Sequence, residues 1–170
     1  MLAMKINEEH LYHGAALIQI AEFSTFKAIN PFILPDGSNS RSTYVVNTDK
    51  AVYLKYASKP KKPFNEYVFT FSLSNLKELE ELERHFKTRV FVAMVCLEAQ
   101  EICAITLEEL KQHIERRKAA RGKNETSYQI IVTAPANSAF RVYVNEPGKK
   151  KSALGKQNVR RNHFPGVIFA

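Results

Sequence analysis

The longest unbroken apolar stretch of the chain, VFVAMVCL from Val90 to Leu97, constrains the fold more than any other feature. A strand buried on both faces has a continuous run of apolar residues, whereas a strand with one solvated face alternates between apolar and polar. A helix that crosses a membrane needs about 20 such residues, so this run is far too short for one. The run therefore predicts a central strand of a sheet that is covered on both faces.

Three helices are predicted from their capping signals and apolar spacing. Asn7 is the expected N-cap of the first helix, which runs to about Phe23. Ser74 is the expected N-cap of the second, whose leucines recur at helical spacing. In the third helix, TLEE forms a capping box that begins at Thr106, and Gly122 is the expected stop.

Shorter strand-like segments occupy much of the remaining chain: Thr43 to Asn47, Ala51 to Ala57, Glu66 to Phe71, EICAI, YQIIVTA and FRVYV. Residues 30–42 are rich in proline and serine and are predicted to form a loop. The order of helices and strands predicts an α/β (α+β) fold, in which about three helices flank a mixed β-sheet. We expect one globular domain over residues 1–146. Residues 147–170 are expected to form a loop-like basic arm, whose apolar end, FPGVIFA, can dock on the core.

The positive charge of the chain is concentrated near its C-terminus. Lysine and arginine number 25 against 17 aspartates and glutamates, which gives a net charge of +8. The segment from Lys149 to Arg161 has six basic residues and no acidic one. A block of one sign favours a polyanionic partner, because binding releases condensed counterions. A solvated tail is the alternative interpretation.

Basic residues in three segments are the candidate contacts to nucleic acid: Lys59, Lys61, Lys62, Arg116, Arg117, Arg121, Lys149, Lys150, Lys151, Lys156, Arg160 and Arg161. Cations on loops neutralise phosphates without reading bases. Tyr53, Tyr56 and Phe64 lie near the first segment and are candidates for stacking on exposed bases, with core packing the favoured alternative for Tyr53. Nucleic acid is therefore the expected partner, DNA rather than RNA. A non-catalytic protein-interaction module is an alternative, and no membrane partner is expected.

The first predicted helix also contains an acid in line with its apolar stripe. Leu11, Ala15 and Ile18 form the stripe, and Glu22 follows about three turns after Leu11. With the strands and helix that follow, this order resembles the core of the PD-(D/E)XK nuclease superfamily. The resemblance implies a nuclease-like core, acids that hold Mg²⁺, and a lysine that positions or activates the attacking water.

The resemblance assigns catalytic roles to Glu22, Asp49, Lys55 and Glu66, with Glu22 and Asp49 as metal ligands. Tyr53 stands two residues before Lys55, where the family has Asp or Glu, and Glu66 is the substitute acid. A divergent magnesium-dependent endonuclease is thus the enzymatic alternative, with Mg²⁺ as its cofactor. In the non-catalytic interpretation, Asp49 belongs to a hairpin turn and Lys55 protects an edge strand.

The remaining residues point to no further chemistry. Cys96 and Cys103 lie in apolar, strand-like surroundings and are expected to be reduced core thiols of a cytoplasmic protein. The N-terminal sequence MLAMKINEEH lacks the apolar region of a signal peptide. No glycine-rich phosphate loop is present. The oligomeric state stays open, with a homodimer among the options.

Overall fold

A computed structural model describes residues 4–170, which form four helices and nine strands. The helices are α1 (Glu8–Ala21), α2 (Leu73–Phe86), α3 (Leu107–Arg121) and α4 (Gly166–Phe169). The strands are β1 (Ile29–Ile33), β2 (Asn39–Val46), β3 (Lys50–Ala57), β4 (Tyr67–Ser72), β5 (Val90–Cys96), β6 (Glu101–Thr106), β7 (Ser127–Thr133), β8 (Phe140–Asn145) and β9 (Ala153–Val159). The predicted α+β fold class is confirmed.

The strands form two sheets. The first sheet has the order β1-β2-β3-β5-β6, and β3 pairs with β5 in parallel while the other pairs are antiparallel. The second sheet has the order β4-β7-β8-β9 and is antiparallel throughout. The apolar run predicted as a central strand is β5, which lies between β3 and β6 and is buried at every residue.

The first sheet is covered on both faces because alternate residues of its strands enter different cores. Tyr53 of β3 lies in a core shared with α2, α3 and the inner face of the second sheet. Leu54, the next residue, lies in a core closed by Ile20 of α1 and Ile168 of α4. These two cores explain why β5 has no polar face.

Most predicted helix ends are confirmed. Asn7 and Thr106 are N-caps whose side chains accept from backbone N–H groups three residues on. Gly122 ends α3 with φ at +78°, a conformation that glycine adopts without steric cost. The predicted N-cap at Ser74 is wrong by two residues: Ser72 caps α2, because its hydroxyl accepts from the N–H of Asn75 directly after β4.

The predicted buried face of α1 is wrong. Leu11 and Ile18 are 59% and 60% exposed, whereas His13, Ala16 and Ile20 are buried. Apolar residues occur on both sides of this helix, so their spacing alone does not select the buried face. The small side chain of Ala16 faces the sheet instead, in the core that contains Ile20.

Two segments predicted as loops contain strands. Residues 29–33 and 39–46 are β1 and the whole of β2, so much of the predicted loop at 30–42 is paired. β1 is an edge strand, where Pro31 costs no essential ladder hydrogen bond.

In the predicted C-terminal arm, residues 153–159 form β9, which is also an edge strand and whose exposed polar residues give no apolar alternation. The apolar end packs on the core, where Phe164 and Ile168 are buried.

Cys96 and Cys103 are buried and unpaired, as expected for core thiols. Burial raises the pKa of both, which keeps them protonated near neutral pH. None of the helices in residues 4–170 has the length and apolarity that a membrane crossing requires.

Candidate nucleic-acid interface

Two of the three basic segments meet at one surface. The loop at residues 58–65 joins β3 to β4, and the ammonium of Lys151 lies 3.8 Å from the ring centroid of Phe64 in that loop. Backbone hydrogen bonds between Lys61 and Glu66, at 2.8 and 3.1 Å, close the loop. Lys62 donates to the Asn65 side chain at 2.5 Å. Lys151, in the C-terminal basic segment, therefore lies beside this loop.

An open cavity of about 370 Å³ lies on the outer face of the second sheet, beside this contact. Its lining residues are Phe64, Asn65, Thr133, Ala134, Pro135, Ala136, Arg141, Tyr143 and Lys156. In β8, Arg141 and Tyr143 alternate with the buried core residue Val142, so their side chains face away from the core. The cavity therefore combines cationic, aromatic and amide groups on a sheet face that the core does not use.

Most predicted contact residues are available to a polyanion. The following are exposed and have no carboxylate partner among residues 4–170: Lys59, Lys61, Lys62, Arg116, Arg121, Lys150, Lys151, Lys156 and Arg160. Exposed cations keep their charge for a ligand when no internal anion neutralises them.

No protein-family model matches the chain, and no curated protein or solved structure is significantly similar to it. A family activity therefore cannot be carried over to these residues. The function is inferred from the charges and geometry of the surface.

Arg161 belongs to the predicted contacts, but its partners lie inside the protein. Its guanidinium forms a bidentate pair with the carboxylate of Glu101, with Nε donating at 2.5 Å. Nη1 also donates to the carbonyls of Pro135 and Ser138, at 2.8 and 3.0 Å. The hydrogen bond from Arg161 holds the pKa of Glu101 below its ordinary value. Arg161 thus joins β6 to the β7–β8 connection and is not free for a phosphate.

Arg117 and Lys149 are also paired. Arg117 donates to both carboxylate oxygens of Glu125, at 2.6 and 3.0 Å, and to the carbonyl of Asn145 at 2.7 Å. Lys149 lies 3.3 Å from Glu146 and is an exposed pair that phosphate can displace. Arg117 therefore stabilises the fold, whereas the Lys149 side chain remains accessible to a ligand.

The third basic segment, at the end of α3, borders β9. Arg116 donates to the carbonyl of Gly155 at 3.4 Å, and a Cβ at Gly155 would lie 2.6 Å from Arg116 Nε. Gly155 has φ at +60°, a backbone conformation that favours glycine. A side chain at this position would also collide with Arg116, so the contact requires glycine. Arg121 is exposed at the end of the same helix.

Arg141 was missed by the sequence prediction because it stands alone in a strand and not in a basic cluster. The alternation of FRVYV is the signal that places it, since Phe140 and Val142 are buried and Arg141 between them is exposed. Its position near Lys156, however, follows only from the pairing of β8 with β9.

The four predicted catalytic residues have separate sets of partners. Glu22 is exposed at the C-terminal end of α1. Asp49 lies in the β2–β3 turn, where Arg89 Nη1 is 2.5 Å and Lys50 Nζ 3.2 Å from its carboxylate. Desolvation tends to raise the pKa of Asp49, but these two cations hold it below its ordinary value.

Glu66 is buried at the start of β4 and accepts a hydrogen bond from the Tyr143 hydroxyl at 2.5 Å. Tyr53, which occupies the place of the family acid, is also buried, and its ring centroid lies 6.3 Å from that of Phe71. Tyr53 therefore serves the core between the two sheets.

Lys55 is half-buried and bonded to the start of α2. Its ammonium donates to the carbonyl of Thr70 and to the side-chain oxygen of Asn75, the latter at 2.9 Å. It also lies 5.0 Å from the ring centroid of Phe71. Burial lowers its pKa. Lys55 thus connects β3 with β4 and α2, on the opposite face of the first sheet from α1.

The residues do not fit a magnesium ion at the predicted position. Mg²⁺ is held by carboxylate and water oxygens, and Asp49 already faces two cations. No group of three or more His, Cys, Asp or Glu side chains within residues 4–170 is arranged to hold a metal ion. Phosphate binding by the cationic surface requires no such group.

Proposed function

We propose that the protein binds nucleic acid, DNA rather than RNA, at the surface formed by the loop 58–65 and the segment 149–161. The observation that carries this proposal is the contact of Lys151 with Phe64, because it joins two basic segments that are far apart in sequence. Their exposed cations supply the counterion-release term that dominates binding to phosphate backbones. The buried, unpaired Cys96 and Cys103 support the expected cytoplasmic location.

A nuclease-like core is supported by the order of the elements alone. α1 precedes the antiparallel strands β1, β2 and β3, and α2 leads into β5, which is parallel to β3. β4 departs from this order because it joins the second sheet. Cleavage is not part of the proposal, since the residues do not fit the metal that the resemblance implies.

Binding is tested with fluorescently labelled DNA, as duplex and as single strand, by anisotropy at about 0.1 M salt. We expect the double variants Lys61→Gln/Lys62→Gln and Lys150→Gln/Lys151→Gln to weaken duplex binding to a similar extent, roughly 10-fold or more each. Both pairs are exposed and lie outside the two cores, so their loss should leave the cores intact. Lys62→Gln and Lys151→Gln also remove the side-chain contacts to Asn65 and Phe64.

The matched control is Lys27→Gln/Lys77→Gln, which removes the same charge from exposed positions outside the proposed surface. An equal loss of affinity in the control would show that only net charge matters. Wild-type protein that binds neither form of DNA would refute the proposal.

A further inference from the structure

The cavity beside the Lys151–Phe64 contact has groups for more than a phosphate. One side presents the aromatic ring of Phe64 and the amide of Asn65, and the sheet presents the cations Arg141 and Lys156. The short stretch 134–136 supplies an apolar wall. At about 370 Å³, the cavity lies in the range of small-molecule sites, which begins near 300 Å³.

We infer that this cavity is a subsite for one unpaired nucleotide of a single-stranded nucleic acid. Its phosphate binds Arg141 and Lys156, and its base packs against Phe64 and the wall at residues 134–136. This inference rests on the proposed function and adds a preference for the strand form. Bases in a duplex are stacked on their neighbours, so an aromatic side chain in a cavity engages only a base that has left the stack.

The charges around the cavity favour an anion. Neither Arg141 nor Lys156 has a carboxylate partner among residues 4–170, and both are exposed. Tyr143 lines the cavity, and its hydroxyl donates a hydrogen bond to Oε2 of the buried Glu66. Burial and this hydrogen bond raise the pKa of Tyr143, which therefore stays neutral. Positive charge from Arg141 and Lys156 therefore predominates at the opening of the cavity.

The walls are fixed by regular structure. Thr133 of β7 pairs directly with Arg141 of β8, and Lys156 lies on β9, the next strand. The backbone bonds between Lys61 and Glu66 close the loop that carries Phe64. A site on paired strands and a closed loop is ordered before the ligand arrives, which reduces the entropy cost of binding.

The test uses labelled (dT)12 and a 12-base-pair duplex, with the variants Phe64→Ala and Phe64→Leu. Removing one base–aromatic stack should weaken single-strand binding about 5- to 150-fold, whereas duplex affinity should fall less, since the duplex loses only the support of the Lys151–Phe64 contact. Phe64→Leu preserves apolar packing and keeps the test valid if the alanine variant fails to fold. Phe23→Leu is the matched control, because Phe23 is a half-buried aromatic that stacks on Phe169 instead.

The outcomes separate this inference from the proposed function. A larger loss of single-strand than of duplex affinity, with Phe23→Leu unchanged, supports the subsite. If both Phe64 variants retain single-strand affinity, or if both DNA forms weaken equally, the subsite is refuted while nucleic-acid binding stands. If wild-type protein binds neither probe, the proposed function and the subsite both fail.

Discussion

At the scale of single residues, Arg161 separates the cations that serve the fold from those left for a ligand. It lies in the most basic segment of the chain, next to Arg160, and charge alone does not distinguish the two. Arg161 is half-buried and satisfies a carboxylate and two carbonyls, whereas Arg160 is exposed. Their contrasting surroundings give a direct test of the structural role.

We expect Arg161→Ala to lower the free energy of unfolding by about 1–3 kcal/mol, because it removes charge-assisted hydrogen bonds and leaves their acceptors unpaired. Arg160→Ala is the control and should change it by less than about 0.5 kcal/mol. Urea denaturation at pH 7 measures both. Equal effects in the two variants would contradict the assigned role of Arg161.

The same pair has a defined pH dependence. The pKa of Glu101 is depressed in the folded protein, so its stabilising contribution is present above the ordinary glutamate pKa of about 4.3. It is lost as the pH falls through the depressed folded-state pKa. The difference in unfolding free energy between wild type and Arg161→Ala should therefore shrink below about pH 4, and a constant difference would contradict the pairing.

At the scale of elements, β9 is attached to α3 through a buried histidine. His113 Nε2 donates to the side-chain oxygen of Gln157 at 2.8 Å, and Nδ1 accepts from Arg116 at 3.3 Å. Burial is the main cause that lowers the pKa of His113. Protonation would place a second N–H against the Arg116 guanidinium. The contact therefore requires neutral histidine.

This contact predicts acid sensitivity. The unfolded chain binds a proton at His113 near pH 6.5 and the folded chain only at lower pH, so the free energy of unfolding falls as the pH drops below about 6.5. His13, also buried with a lowered pKa, adds to the fall. We expect His113→Gln to flatten the dependence between pH 5 and pH 7, as measured by thermal unfolding.

The control for that experiment is Gln112→Ala, which changes an exposed, non-titrating neighbour of His113 on α3. It should leave the slope of stability against pH unchanged. If His113→Gln leaves the wild-type slope intact, the neutral histidine is not what attaches β9 to α3.

The elements that sequence predicts well are those with strong local signals. β5 is a continuous apolar run, and the caps of α1 and α3 are formed by residues close in sequence. The edge strands β1 and β9 lack such signals, because their pairing depends on distant partners and one side meets solvent. The same reasoning explains the interface: charge predicts the basic segments, but only strand pairing brings Arg141 beside Lys156.

At the scale of the whole molecule, the C-terminal segment is part of both the fold and the proposed surface. β9 completes the second sheet, and Ile168 is fully buried against the first. Lys150 and Lys151, just before β9, are exposed, and Lys151 lies against Phe64 of the loop 58–65. Folding therefore positions the cations that the proposal assigns to phosphate, and binding needs no separate ordering of a disordered tail.

The salt dependence of wild-type binding to duplex DNA tests the central claim most directly. With about five to six phosphates neutralised, the logarithm of the association constant should fall against the logarithm of salt concentration with a slope of about −4 to −6. The slope should be the same in EDTA, because no metal is needed. A slope shallower than about −2, or no binding at low salt, would contradict the account.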